Sequence, residues 1–301
     1  MERKKRTFIY LFFSFLLGAN ILAWLIVYDL FQKQFFQVIF FDVGQGDAIF
    51  IETGQGHQIL IDGGPTSAIL EKLGQEMPFY DRTLDLIVLT HPEHDHMAGL
   101  IEVLKRYKVE KILWTGVLRN TGEFKEWEKT IKEEQEKEKT QIHIAKAGQK
   151  ISWSGRFPDQ QVFYVLNPLE SPEGQELENS NNTSIVLRLI FNGQSFLFTG
   201  DIYKSIEKKL LGKGIALGSN VLKIGHHGSK TSTSEDFLEG VLPEIAVISV
   251  GRGNSYGHPH AETLATLNKY DIKVLRTDLN GDIKMFSDGK TLNINIKNER
   301  H

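Results

Sequence analysis

The chain contains no cysteine, which excludes disulfides, thiolate metal sites and a cysteine nucleophile together. Any metal ligand must therefore be His, Asp, Glu, Asn or water. A large excess of either charge is missing too. The formal net charge is −3 over 301 residues, so there is no global electrostatic case for nucleic acid. A locally basic groove would not register in that sum, and an argument for DNA has to come from a site. No internal repeat points to a solenoid. What is present is 41% apolar residues, enough for one large domain or two small ones with real cores.

The N-terminus carries the one long apolar run. "MERKKR" precedes residues 7–28, "TFIYLFFSFLLGANILAWLIVY", which hold no charge. About 20 such residues cross a bilayer core as a helix. We read a retained anchor rather than a cleavable signal peptide, whose apolar stretch would be shorter and would end in a small-x-small site; "GANILAWL" offers neither. Arg3, Lys4, Lys5 and Arg6 place residues 1–6 in the cytoplasm and everything after the anchor outside. Trp24 and Tyr28 suit the far interface. The expected organisation is a basic tail at 1–6, an anchor at 7–28, a linker at 29–36 and one domain at 37–301.

From residue 37 onward the pattern is a succession of β-type runs. "FQVIFFDV", "DAIFIET" and "HQILIDGG" are separated by glycine turns. A helix at "SAILEKLG" leads to the strand "LDLIVLT". "MAGLIEVLKRYK" follows, with Leu100, Val103, Leu104 and Tyr107 at helical spacing. Residues 123–140 are dense in mixed charge with a thin stripe of Phe124, Trp127 and Ile131, the mark of a solvated surface helix. The second half repeats the style with strands such as "VFYVL", "SIVLRLIF", "QSFLFTGD", "VLKIG" and "EIAVISV", and with helices at "YKSIEKKLL", "SEDFLEG" and "AETLATLNK". Two β-rich halves, each with helices, predict two sheets packed face to face with helices outside.

Polar clusters stand where the apolar strands stop. "THPEHDHMAGL" gives the spacing H-x-E-x-D-H with His91, Glu93, Asp95 and His96, read as a loop before a helix beginning near Met97; His94 falls between ligand positions. "FLFTGD" puts Asp201 after a glycine at a strand end, where a carboxylate can bridge two cations. "LKIGHHGSKTS" offers His226 and His227: one can bind metal while the other acts as donor or acid, and we take His226 as the ligand. "YGHPH" adds His258 as a residue that can meet a substrate oxyanion, and His260 with no chemistry assigned. Asp42, Asp47 and Asp62, in "DVGQGD" and "LIDGG", can orient metal-bound histidines from behind. Lys223 and Lys230 flank the histidine pair, with Ser229 between, and can touch backbone phosphates. His143 is read as a strand-face residue and His57 as a surface one.

Four of these stretches together resemble the metallo-β-lactamase superfamily: H-x-E-x-D-H at 91–96, TGD at 199–201, GHHGS at 225–229 and "DVGQGDAIFI" at 42–51. Within it the chain is similar to the extracytoplasmic nuclease-like domain of ComEC, the DNA-uptake channel protein, through "VLKIGHHGSKTSTSEDFL", "NNTSIVLRL" and "SVGRGNSYGHPH" over roughly residues 37–296. The resemblance implies an αββα sandwich, here preceded by one transmembrane helix, and metal-dependent hydrolysis, in this branch of a phosphodiester. Two departures stand out. Glu93 replaces the usual second histidine, and Asn181 or Asn182, with Asn182 favoured, stands where zinc-type members have a further histidine. One half-site would then be His91, Glu93, Asn182 and Asp201, and the other Asp95, His96, Asp201 and His226. The first is oxygen-rich, so one or two divalent cations are expected, Mn²⁺ more than Zn²⁺. The function expected is an anchored phosphodiesterase, DNA its leading substrate, linked to DNA uptake. With one membrane segment it would assist a separate channel protein, or act alone. Asp95, His227 and His258 are its expected catalytic residues. The rivals are a same-fold esterase acting on an envelope or small phosphodiester, and a non-catalytic DNA-binding scaffold.

Overall fold

The computed structural model describes residues 2–31, 36–153 and 161–296. The chain divides into two compact units, Met1–Gln34 and Phe35–His301. The first is a single helix, α1 (Glu2–Phe31), within which Lys5–Trp24 is long and apolar enough to cross a membrane. The apolar side chains of Phe8, Tyr10, Phe13, Phe15 and Trp24 on this helix are exposed. The side chain of Tyr28 and residues 32–35, half of the expected linker, lie outside the described residues, as does the chain after residue 296.

In the second unit the first half supplies β1 (Phe36–Phe40), β2 (Ile49–Glu52), β3 (Gln58–Ile61), α2 (Ala68–Glu76), β4 (Thr83–Val88), α3 (His94–Leu104), β5 (Lys108–Trp114), α4 (Gly122–Lys137) and β6 (Gln141–Ile144). The second half supplies β7 (Lys150–Ile151), β8 (Gln161–Asn167), β9 (Val186–Phe191), β10 (Gln194–Phe198), α5 (Lys204–Gly212), β11 (Val221–Lys223), α6 (Glu235–Val241), β12 (Ile245–Ile248), α7 (Ala261–Lys269), β13 (Lys273–Arg276), α8 (Thr277–Asn280), β14 (Ile283–Ser287) and β15 (Leu292–Ile296). One sheet runs β15-β14-β1-β2-β3-β4-β5-β6 and the other β13-β12-β11-β10-β9-β8-β7.

The layering follows from the two-residue period of a strand. In β1, Phe36, Val38 and Phe40 point into the core between the sheets, where they join Phe163, Leu187, Phe196 and Phe198. Ile39 points the other way, into a second core with Phe50, Leu60, Leu100 and Trp127 under α2, α3 and α4. A third core holds Leu197, Leu222, Phe237 and Leu267 under α5, α6 and α7. Three cores separate four layers, and the αββα arrangement is the one the strand and helix pattern implies. Phe124, Trp127 and Ile131 of α4 are all buried, so the thin stripe on that charged helix is its packing face.

Three readings of the sequence need correction. Helix α3 begins at His94, not near Met97, so Asp95 and His96 belong to its first turn. Glu93 is the extended N-cap residue, and Asp95 sits where the helix dipole favours a carboxylate. The helix is pinned to the end of β3 by backbone contact: Gly63 N donates to His96 O at 2.8 Å and Gly99 N donates to Gly64 O at 2.9 Å. A Cβ at Gly99 would overlap the Gly63 carbonyl, so glycine is required for the approach. His57 is half-buried rather than a free surface residue, its Nδ1 2.7 Å from Asp85 Oδ1 and its ring stacked on Trp153. Lys223, expected to face a substrate, is fully buried. His143 lies exposed on β6, as expected of a strand-face residue.

Candidate metal centre

The strands β1, β3 and β4 of one sheet run the same way and end beside the ends of β10, β11 and β12 of the other, which brings their polar termini together. At that edge one donor atom from each of Asp95, His96, Asp201 and His227 falls within 4.8 Å of the others. Asp201 Oδ2 is 3.4 Å from His96 Nε2, 3.4 Å from His227 Nε2 and 3.9 Å from His91 Nε2. Its other oxygen, Oδ1, is buried with no hydrogen-bond partner. Asp95 Oδ2 closes the group at 3.1 Å from His227 Nε2.

The geometry exchanges the two adjacent histidines. Both have left-handed backbone, with φ 49° at His226 and 54° at His227, a conformation that costs a non-glycine residue about 1–2 kcal/mol. The turn they make aims the His227 ring inward, where Nδ1 meets Ser249 O at 2.9 Å. Both rings line the cleft, but His226 is half-buried, with Nδ1 3.1 Å from Thr231 Oγ1. A sequence pattern of two adjacent histidines does not say which one such a turn sends inward.

Behind the group lies a layer of buried polar side chains. Asp62 accepts from the Thr90 amide and hydroxyl at 2.8 and 2.7 Å, and its Oδ2 is 2.8 Å from His96 Nδ1. That bond turns His96 Nε2 toward Asp201. Asp47 Oδ1 is 3.4 Å from His227 Nδ1, and its Oδ2 is 2.5 Å from Lys223 Nζ in an ionic contact without hydrogen-bond alignment. Asp42 takes no part: its Oδ1 accepts from Gly44 N, and its own amide donates to Asp282.

The electrostatics follow from burial and mutual proximity. Burial disfavours charge on His96 and His227, yet Asp201 and Asp95 outweigh it and raise both imidazoles well above the usual 6.5. Burial would likewise raise Asp201 and Asp95, but His227 and His96 hold both below the usual 3.8. Asp47 is also held low: Lys223 and His227 together overcome its burial. His91 goes the other way, pushed down to about 3 by burial and by His96 alongside it. Its ring stays neutral across the physiological range, with a buried Nε2 that has no partner.

The remaining expected residues are dispersed around a cleft of about 290 Å³. Glu93 lines it, but Oε2 is paired with Arg119 Nη2 at 2.9 Å and Oε1 accepts from Ser180 Oγ at 2.7 Å. Asn182 is turned away, its Oδ1 accepting from Tyr203 N at 3.1 Å, while Asn181 lines the cleft. Ser229 is buried, with Oγ 2.9 Å from Thr231 Oγ1. Lys230 is exposed, and its amide donates to His260 Nδ1. His258 lines the cleft, pushed down to about 4 by burial and by His226 and His227.

Residues 41–252 match the metallo-beta-lactamase superfamily. The chain belongs to that superfamily. It is 36% identical over 204 residues to ComE operon protein 3 of Bacillus subtilis (strain 168), covering 67% of this chain and 24% of that protein. It is 36% identical over 204 residues to competence protein ComA of Neisseria gonorrhoeae, covering 67% and 25%. Recombination protein 2 of Haemophilus influenzae (strain ATCC 51907 / DSM 11121 / KW20 / Rd) is 30% identical over 215 residues, covering 69% and 23%. The chain thus spans about a quarter of the length of these curated relatives, and the ComEC-type resemblance read from its motifs holds for that portion. Among solved structures, Igni18, a metallo hydrolase from Ignicoccus hospitalis KIN4/I, aligns with a TM-score of 0.53 at 16% identity, covering 83% of this chain and 98% of that one.

A divalent cation belongs in this superfamily's fold, and the donor set here fits one. Two carboxylates and two imidazoles converge, and the unpartnered Asp201 Oδ1, His91 Nε2 and His96 Nε2 are polar atoms whose burial otherwise goes uncompensated. Sequence reasoning missed Arg119, Ser180, Thr90 and the Ser249 carbonyl. Only the Thr90 position, directly before the histidine stretch, carries a signal in the sequence. Arg119 and Ser180 reach Glu93 from distant loops, and no spacing reveals that.

Proposed function

We propose that this metallo-hydrolase fold is a membrane-anchored phosphodiesterase whose domain at 37–301 lies outside the cell and acts on DNA. The carrying observation is the convergence of Asp95, His96, Asp201 and His227 at the floor of an open cleft. The apolar span in α1, with Arg3 to Arg6 on its N-terminal side, supports an anchor at 7–28 with the N-terminus in the cytoplasm. The competence and recombination names of the relatives support DNA as substrate. A separate channel protein is the partner we propose, and what supports it is the ComEC-type resemblance of the matched portion.

Asp95, His96, Asp201 and His227 would hold the cation, which we propose to be Mn²⁺ because hard carboxylate oxygens make up half the set. Once bound, such an ion lowers the pKa of water and offsets charge on phosphate oxygens. The protein's own part is to fix the donors. Asp62 and Ser249 O hold the Nδ1 atoms of His96 and His227, so each presents Nε2. His258 is neutral near pH 7 and serves as a hydrogen-bonding group on the cleft wall, not as a proton donor.

One observation favours a second substrate. Among the described residues that line the cleft there is no lysine or arginine, whereas Tyr203, Tyr256 and His258 are present. Such a wall also suits a small phosphodiester with an apolar substituent. The test is to incubate the unit from residue 33 onward with single- and double-stranded DNA, and with a small diester such as bis(4-nitrophenyl) phosphate, in Mn²⁺ or Zn²⁺. An Asp95→Ala/His227→Ala variant runs alongside. Metal-dependent DNA cleavage lost in the variant is expected. Cleavage of the small diester alone selects the second reading, and cleavage of neither refutes hydrolysis of phosphodiesters.

A further inference from the structure

Glu93 stands where the superfamily pattern places a metal-binding histidine, yet both of its oxygens are already engaged. Oε2 is paired with Arg119 at 2.9 Å and Oε1 accepts from the Ser180 hydroxyl at 2.7 Å and from the Ser180 amide at 3.4 Å. Arg119 is itself fixed. Its side chain is 15% exposed, and its Nη1 donates to the carbonyls of Leu177, at 2.7 Å, and Glu178. The guanidinium therefore joins three separate segments: the N-cap of α3, the loop after β5 and the loop before β9.

To reach a cation, Glu93 would have to abandon that arrangement. The guanidinium would then lose its counter-charge in a largely buried position, and the fully buried Ser180 hydroxyl would lose its acceptor. The rest of the first half-site cannot compensate. Asn182 is held by the amide of Tyr203, which leaves His91 Nε2 and Asp201, with Asn181 at the cleft wall. The second half-site has no such competitor, since among the described residues no arginine or lysine is paired with Asp95, His96, Asp201 or His227.

We infer that Arg119 is a positioning residue that keeps Glu93 off the metal, so that the protein binds one divalent cation tightly and a second only weakly. This rests on the metal centre read above but not on the substrate. Glu93 then acts as a strut between loops, and the cation stoichiometry is set by an arginine that touches no ligand of the tight site.

Metal titration by calorimetry, with metal content after desalting, tests this without any substrate. The expected result for Mn²⁺ and Zn²⁺ is one tight equivalent per chain. Arg119→Met frees Glu93 and should raise the affinity for a second equivalent about tenfold or more. The Arg119→Met/Glu93→Ala pair should lose that gain. Because Arg119 also holds the 177–178 backbone, a thermal melt accompanies the variant, and Glu93→Ala alone gives an independent reading: the single tight equivalent should survive. Two equivalents of similar affinity in the native protein, or loss of an equivalent in Glu93→Ala, would overturn the inference. A gain that persists in the double variant would do the same. No tight metal at all in the native protein would remove the centre itself, a different failure from an absent DNase activity.

Discussion

Lys223→Met is the sharpest perturbation the structure offers. The ammonium lies 2.5 Å from Asp47 Oδ2, and the two side chains are 0% and 2% exposed. At an effective dielectric constant of about 20, Coulomb's law makes that attraction about 7 kcal/mol. Removing it leaves Asp47 as a buried carboxylate, which has a cheaper escape: it takes a proton. Protonating a carboxyl of ordinary pKa 3.8 at about pH 7 costs about 4 kcal/mol, so protonation, not the bare Coulomb energy, caps the loss. The expected destabilisation of the metal-loaded protein is therefore about 4 kcal/mol, or ~10 °C in a melt. The metal-loaded form is used because a protonated His227 would partly replace the missing cation. Urea titration should show a pH signature as well. In the variant the folded Asp47 has a raised pKa, so the loss grows as pH rises and falls below about 2 kcal/mol near pH 5. Adding Asp47→Asn should recover at least half of the stability. A loss below about 1 kcal/mol, or one that does not vary with pH, would refute the account. DNA affinity should keep its salt dependence in Lys223→Met, since a buried ammonium releases no counterions from phosphates.

Proton competition gives the next expectation. In the metal-free protein His96 and His227 have raised pKa values, so their contribution to stability is complete below about pH 6.5 and is lost as pH climbs through the raised values. Cation binding must displace those protons, so melts with and without metal should diverge increasingly from about pH 6 to about pH 9, and calorimetry in buffers of different ionisation enthalpy should report proton release. A gap that narrows with rising pH would contradict this. Asp62→Ala should weaken metal binding by roughly 10- to 100-fold, because His96 Nδ1 loses the acceptor that orients the ring; equilibrium dialysis against a chelator measures it, and an unchanged affinity would show that packing alone holds the ring. His258→Gln should lower the rate of hydrolysis without moving the alkaline limb of the pH–rate profile, where loss of a general acid's proton would show, since a side chain with a pKa of about 4 has no proton to give near neutrality. A shifted limb would restore it as an acid.

The fold was largely legible because it rests on period-two alternation. "FQVIFF" alone divides its side chains between two cores, and the αββα layering is that division repeated across two sheets. The site was legible only as far as strand ends could be located. Asp95, His96 and Asp201 are where an apolar run stopping at a polar cluster would put them. The choice between His226 and His227 was not legible, because it depends on two consecutive left-handed residues, a backbone state that no side-chain pattern encodes for histidine. Lys223 was misread for a related reason. A lysine at the end of a strand looks solvent-bound until the loop between β1 and β2 of the facing sheet brings a carboxylate under it, and Asp47 lies 176 positions earlier in the chain. Glu93 showed as an oddity in the sequence, but Arg119 and Ser180, which account for its conformation, carry no motif.

The contact between Gly63 and Gly99 has a consequence for how this centre can drift. The start of α3 is located against β3 by main chain on main chain, with no side chain acting as spacer. Repacking of the surrounding apolar residues can therefore change the volume of the helical layer while the separation between Asp62 and His96 stays fixed. The donor spacing is insulated from sequence variation in the core, and exposed to it at two glycines.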